Sequence, residues 1–505
     1  MAAAVAAAAL AGPSASSGTV SASTAAATAR RPLPPRTLEA RAAQAPQGLG
    51  PAQIRSTYAL PPRGTRGQTI AIVSPYDDPS IQADLSAYSQ RFVLPPCTEQ
   101  NRCLRKLNEN GSRSPLPPKD LTGGMWITES ALGIEVAHGV CESCSLLLVE
   151  ATTDTKRDLA AAVSAAARAG ATVIVTAYTA PEDPNDASYV DDFSPSRAAV
   201  VTAVGDTGYT GSAHFPSSLP NVLAVGGTQL RFGAGGRSDG EQAWSQTTSG
   251  CSLYQSVPSW QVRIAPVSGC GTQRAVADLA AAADPGAIVH ITGAGQAGGP
   301  WYVASGTSLS APIIAGVIGL AGSVGSREAQ MLYARAQSDP GAFHDIRTGT
   351  DATGCTVTIC RAARGWDGPT GLGTPNGLAA FLPSGGALDP RRPAISVSAT
   401  GNRLHVNSRS TTQLRLRNNN PFAISGTIGI RRTLRIGGRL RPVQFGSGKL
   451  TLGPLGSGTH SVAIAKRYLG RLKALGNGTV YVQLRVHGPA GRSVTVTKSL
   501  PLYAP

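Results

Sequence analysis

Short apolar runs recur through the first 390 residues, and the stretches between them carry a helical period. Residues 67–73, 145–149, 171–175, 198–204 and 221–225 are rich in Val, Ile, Leu and Ala with little polar alternation. That is the pattern of strands buried on both faces of a parallel sheet. Residues Ile81–Phe92, 129–139 and 158–169 fall between such runs and read as helices. Strand and helix in alternation predict an α/β domain built on a parallel sheet.

The period changes near Leu388-Asp-Pro-Arg-Arg-Pro393. Beyond it, short alternating segments at 404–406, 413–416, 427–430, 461–464, 480–486 and 493–497 are separated by Gly, Asn and Pro. Turn signals at that interval predict an all-β sandwich of immunoglobulin or fibronectin type III size. The expected organisation is an export signal at 1–29, a linker at 30–49, an α/β domain at 50–386 and a β-sandwich at 392–505.

Composition sharpens the division. A chain of 505 residues, 41% of them hydrophobic, is long enough to bury two cores. No apolar run after residue 30 reaches the ~18 to 20 residues of a membrane-spanning helix. The net charge of +16 is unevenly placed: positions 391–505 hold 19 Lys+Arg and no Asp or Glu, which leaves 26 basic and 29 acidic residues before them. Charge of one sign on one domain points to a polyanionic neighbour, and the rest of the chain carries no nucleic-acid signal. The expected neighbour is an anionic cell-envelope polymer, met by a monomer.

Residues 1–29 are uncharged, Ala-rich and then rich in small polar residues, which fits the core and cleavage region of an export signal. Eight cysteines lie as near neighbours, 97/103, 141/144, 251/270 and 355/360. An even number at short spacing suits disulfides outside the cytosol, although Cys141-Glu-Ser-Cys144 taken alone is also a zinc-type pair.

The sharpest chemical motif is Ser305-Gly-Thr-Ser-Leu-Ser-Ala-Pro312, followed by an apolar helix. A serine on a helix N-terminus has its hydroxyl exposed, a backbone N–H ready as an oxyanion donor and a positive dipole beneath it. Ser308 is therefore a candidate nucleophile, while Ser and Gly at this place also serve as ordinary caps.

The string GTSLSAP resembles the GTSxSxP signature of the sedolisin family of serine-carboxyl peptidases. The similarity continues through GQTIAIVSPYDDPSIQADLSAYSQRF, ITESALGIEVAH, LLLVEA, VGDTGYTGSAHFPSSLPNVLAVGGTQL, GCSLYQ and DGPTGLGTPNG, from about residue 49 to 382. The resemblance implies a subtilisin-like, doubly wound parallel sheet and an extracellular peptidase acting on polypeptides. It implies Ser308 as nucleophile, Glu129 as general base and Asp206 as the protonated acid at the oxyanion site. One ionised and one neutral carboxyl together imply action at acid pH. The family's DI…GxGxD pattern reads here as Phe343-His-Asp-Ile-Arg and Ala363-Arg-Gly-Trp-Asp367. It implies a Ca²⁺ site made by Asp345 and Asp367 and the carbonyls of Ile346, Ala363 and Gly365.

Three positions depart from the family pattern. Gly133 stands where the family has an Asp four residues after the glutamate, on the same helix face. Glu135 points ~200° away and is a poor substitute; His138 reads mainly as an ordinary helix histidine. Thr179 stands where relatives carry a Gly that lets substrate backbone approach, and Ser74 replaces an Asp, with Asp77 and Asp78 retained. The expected function is thus an exported acid serine endopeptidase. The alternative is a pseudopeptidase that keeps the fold and acts as an extracellular binding or adhesion protein.

Overall fold

The computed structural model describes residues 48–503 apart from 66, 233–237, 294–298, 323–324, 383–394, 400–402, 419–423, 437–438, 454–455, 471–477 and 488–492. The export signal, nearly all of the linker and the boundary between the two expected domains lie outside the described residues.

Seven parallel strands form the centre of the first domain: β1 Thr69–Pro75, β2 Leu104–Asn108, β3 Ser145–Ala151, β4 Val173–Thr176, β5 Ala199–Ala203, β6 Leu223–Phe232 and β7 Leu279–Asp284. They lie in the order β7-β6-β5-β4-β1-β3-β2, with strand Ser238–Ala243 added antiparallel to β6. The four helices used below are α1 Ile81–Phe92, α2 Met125–Val140, α3 Lys156–Arg168 and α4 Thr307–Ala321.

Alternate residues of each strand feed two cores. Ile70 and Ile72 of β1 face a cluster with α2 and α4 residues such as Ile134, Leu309 and Ile313. Ala71 and Val73 face the opposite cluster with Leu159 and Val163 of α3. Helices therefore cover both faces, which is why these strands are apolar without alternation. The sequence pattern did not single out β7, Leu279-Ala-Ala-Ala-Ala-Asp284, since four consecutive alanines carry no strand propensity. Here small side chains let α4 lie close: Ser310 Oγ donates to the carbonyls of Ala281 and Ala282 at 3.0 and 3.1 Å.

The four disulfides join Cys97–Cys103, Cys141–Cys144, Cys251–Cys270 and Cys355–Cys360, so none of the eight is free for zinc.

Beyond residue 394 the described residues are mainly β-strands, with a short 3-10 helix at Lys466–Tyr468. Eight strands form one sheet in the order Ile395–Ala399, Thr411–Asn418, Ser457–Ile464, Arg439–Leu452, Ile424–Ile436, Gly478–His487, Ser493–Tyr503, Leu404–His405. All neighbours are antiparallel except the last pair. The first strand also touches Ser493–Tyr503, and Leu404–His405 touches Thr411–Asn418, so the sheet is nearly closed. Inward residues Leu414, Leu416, Ile428, Ile430, Phe445, Val482 and Leu484 make its core. Strand Arg439–Leu452 escaped the sequence reading because Pro442, Gly446 and Gly448 look like turn residues.

Candidate active site

Two helices on one face of the sheet and one loop at the carboxyl ends of its strands bring the candidate residues together. Ser308 is the second residue of α4. Gly306 before it has φ +115° and ψ 174°, a backbone state closed to residues with a side chain, and this delivers the serine abruptly onto the helix. Pro312 lies inside the helix and lacks the N–H that would bond the Ser308 carbonyl. Glu129 comes from the first turns of α2, and Asp206 from the loop after β5.

All three are buried: Ser308 is 2% exposed, Asp206 7% and Glu129 8%. Burial pushes the Glu129 carboxyl up to about 8; the Ser308 hydroxyl pulls against that push and the nearby Asp206 charge adds to it. Ser308 and Glu129 thus face each other closely enough to interact. Neither Ser308 Oγ nor Glu129 Oε2, however, completes a hydrogen bond of ordinary geometry. The serine–carboxylate contact is present but loose.

Asp206 is held more firmly. Thr307 donates to Asp206 Oδ1 twice, from its backbone N at 2.9 Å and its Oγ1 at 2.7 Å. The same Thr307 Oγ1 accepts from Gly205 N at 3.1 Å. One hydroxyl therefore ties the loop that carries Asp206 to the helix that carries Ser308. The sequence reading passed over Thr307, although it stands inside the GTS motif.

The departures from the family pattern also find places. A Cβ at Gly133 would meet Ile72 Cγ2 at 2.8 Å, so the space an aspartate would need is filled by the core. Ser74 is buried, with its hydroxyl 3.4 Å from the Trp126 carbonyl. Thr179 lies beside the loop that carries Asp206: its Cγ2 is 3.4 Å from where a Cβ at Gly205 would be. Asp77 pairs with Lys106, and Lys106 with Glu150 at 3.1 Å, while Asp78 N donates to Glu150 at 2.8 Å. These acids form an ion-paired group of their own. Glu135 accepts from His290 N at 2.8 Å, and His138 Nε2 meets the Pro95 carbonyl at 2.9 Å. Neither replaces the missing partner of Glu129.

Asp345 and Asp367 come together in a loop. Gly365 N donates to Asp345 Oδ1 at 3.0 Å, and Ala363 N to Asp367 Oδ2 at 3.0 Å. Thr370 gives Asp367 Oδ1 two further donors, and Arg347 pairs with Asp345 at 2.7 Å. Burial raises Asp367 to about 7, with the Asp345 charge contributing. Two neighbouring carboxylates are hard oxygen donors of the kind Ca²⁺ takes, although here each of their four oxygens accepts from a protein donor. No group of three or more His, Cys, Asp or Glu able to hold a metal occurs among the described residues.

A model of the subtilase family matches residues 120–340. The chain is 34% identical over 220 residues to kumamolisin of Bacillus sp. (strain MN-32), which covers 39% of each protein. It is 34% identical over 197 residues to sedolisin of Pseudomonas sp. (strain 101), which covers 35% of this chain and 32% of that one. The chain thus spans less than half the length of these relatives. The solved Pseudomonas sedolisin, a serine-carboxyl proteinase complexed with two molecules of pseudo-iodotyrostatin, matches with a TM-score of 0.56 at 24% identity, over 66% of this chain and 96% of that chain. The fold is subtilisin-like, and the resemblance to the sedolisin family is borne out.

Proposed function

We propose that this chain, a relative of the sedolisins, is a serine-carboxyl endopeptidase that works on polypeptides outside the cytosol. The observation that carries the reading is the convergence of Ser308, Glu129 and Asp206 from α4, α2 and the β5 loop at the carboxyl ends of the strands. In this reading the Ser308 oxygen attacks the peptide carbonyl while Glu129 takes its proton. Asp206 donates a hydrogen bond to the oxyanion, and Glu129 then returns the proton to the leaving amine.

The two carboxyls need one proton between them, carried by Asp206 while Glu129 is ionised. With Glu129 pushed up to about 8, that proton stays on the pair through the acid and neutral range. In the reactive arrangement it has moved to Asp206. The shared proton sets the upper pH limit of the reaction. Activity is expected on the acid side and is lost as pH rises through about 8.

Export rests on the signal-like residues 1–29 and on four disulfides. Ca²⁺ would be held by Asp345, Asp367 and the carbonyls of Ile346, Ala363 and Gly365, where it would neutralise the facing carboxylates and fix the loop. The C-terminal domain, immunoglobulin-like in size and strand alternation, is a basic module for an anionic polymer.

A second reading has two observations in its favour. Ile72 fills the place of the orienting acid and the Ser308–Glu129 contact is loose, as in a protein that has kept the fold and lost turnover. Hydrolysis of a quenched peptide library between about pH 3 and 9 separates the two. Turnover that disappears in Ser308→Ala supports the peptidase. No turnover at any pH supports the binding protein.

A further inference from the structure

The C-terminal domain, residues 392–505, has no Asp or Glu to balance its 18 basic residues, and the sheet arranges two of them in a regular way. Strand Thr411–Asn418 alternates strictly, with Leu414, Leu416 and Asn418 buried and Gln413, Arg415 and Arg417 exposed. Its two neighbours place hydroxyls on either side of each arginine. Arg415 pairs with Ser398 on one side and Thr459 on the other; Arg417 pairs with Ser396 and Ser457. The six residues line one open concavity of about 640 Å³ on the outer face of the sheet, and all six are exposed.

We propose that this face binds a polyol-phosphate chain, a polymer with one singly charged phosphodiester in each repeat. The proposal rests on the reading of the domain as a basic module and gives that reading a site and a ligand class. Arg415 and Arg417 project from alternate positions of one strand, so their guanidinium groups start about 7 Å apart. That separation suits successive phosphates of a flexible chain laid along the strand. Each guanidinium offers a planar fork that matches two phosphate oxygens, and the flanking hydroxyls add donors to the same anion. The concavity has no aromatic lining, so bases have nothing to stack on and single-stranded nucleic acid is disfavoured. Because the domain contains no Asp or Glu, no acidic side chain of its own competes for the two cations.

Binding of the full chain to immobilised poly(glycerol phosphate), measured from about 50 to 500 mM salt, tests the site. Arg415→Gln with Arg417→Gln is expected to weaken binding roughly 30-fold or more and to lower the log–log salt slope by about 1.4. Arg415→Lys with Arg417→Lys keeps the charge and loses the fork, and should still weaken binding at least about fivefold. Arg431→Gln with Arg485→Gln, a pair on other strands, should cost less than about threefold. Equal losses for the two Gln pairs would overturn the located site and leave the diffuse-charge reading standing. No binding by the unaltered chain at low salt would overturn both. Tighter binding to heparin or duplex DNA than to poly(glycerol phosphate) would overturn the ligand class.

Discussion

Ile72 and Gly133 fit together so closely that helix α2 has no room for a side chain at this point. A Cβ on Gly133 would stand 2.8 Å from Ile72 Cγ2 and 3.2 Å from its Cδ1. Ile72 is a β-branched residue of the interior strand β1 and is itself buried, so it has little freedom to move aside. An aspartate one helical turn after Glu129 therefore requires two changes together. Gly133→Asp alone should overpack the core, costing about 1–3 kcal/mol, and should not raise turnover. Gly133→Asp with Ile72→Ala should recover part of that stability and raise kcat roughly tenfold or more, because the new carboxyl orients Glu129. Gly133→Ala with Ile72→Ala is the packing control. Equal kcat for the two double variants would show that position 133 does not govern Glu129.

Thr307 joins the Asp206 loop to the Ser308 helix through one hydroxyl. Thr307→Val keeps the shape and removes that link, so kcat should fall roughly 10- to 100-fold with KM little changed. Thr307→Ser should stay near the unaltered rate. A Val variant as active as the parent would show that Asp206 is positioned without it.

Stability should fall as pH rises across the neutral range. Burial raises the carboxyl of Glu129 to about 8, Asp351 to about 7 and Asp78 to about 6. The unfolded chain gives up these protons near pH 4 while the fold retains them, so the contribution is complete below about pH 4 and lost by about pH 8. Asp84 acts in the opposite sense and only at lower pH: burial pushes it up, but His290 and Thr292 hold it low. Calorimetry should find a higher Tm at about pH 5 than at about pH 8, and Glu129→Gln should flatten the difference. A Tm that rises steadily to pH 8 would contradict these buried protonated carboxyls.

The Asp345–Asp367 loop makes a separate prediction. Excess chelator should lower the Tm by several degrees and added Ca²⁺ should restore it, since a cation bound only by the folded chain stabilises it by mass action. Asp367→Asn should remove the response. Identical melting with and without chelator would exclude a resident cation there.

The parallel sheet was legible because strands buried on both faces must be apolar throughout, as β1 and β3 are. β7 was not, since its alanines answer to the crowding of α4 rather than to strand propensity. Ser308, Glu129 and Asp206 could be picked out because their motifs are local. The Ile72–Gly133 contact could not, for it joins a strand to a helix 61 positions later in the chain. Thr307 lay in plain view, but its part depends on Asp206, about a hundred residues earlier. In the C-terminal domain the alternation of residues 413–416 exposed a strand, yet only the register showed which hydroxyls flank its arginines.

The central claim is that the Ser308 oxygen is a competent nucleophile. A peptide aldehyde labelled with ¹³C at its carbonyl and mixed with the full chain at about pH 5 reads this directly by NMR. The account predicts that the aldehyde signal gives way to that of a tetrahedral hemiacetal carbon in the unaltered protein, and that Ser308→Ala shows no such signal. The same spectrum from both proteins would contradict it.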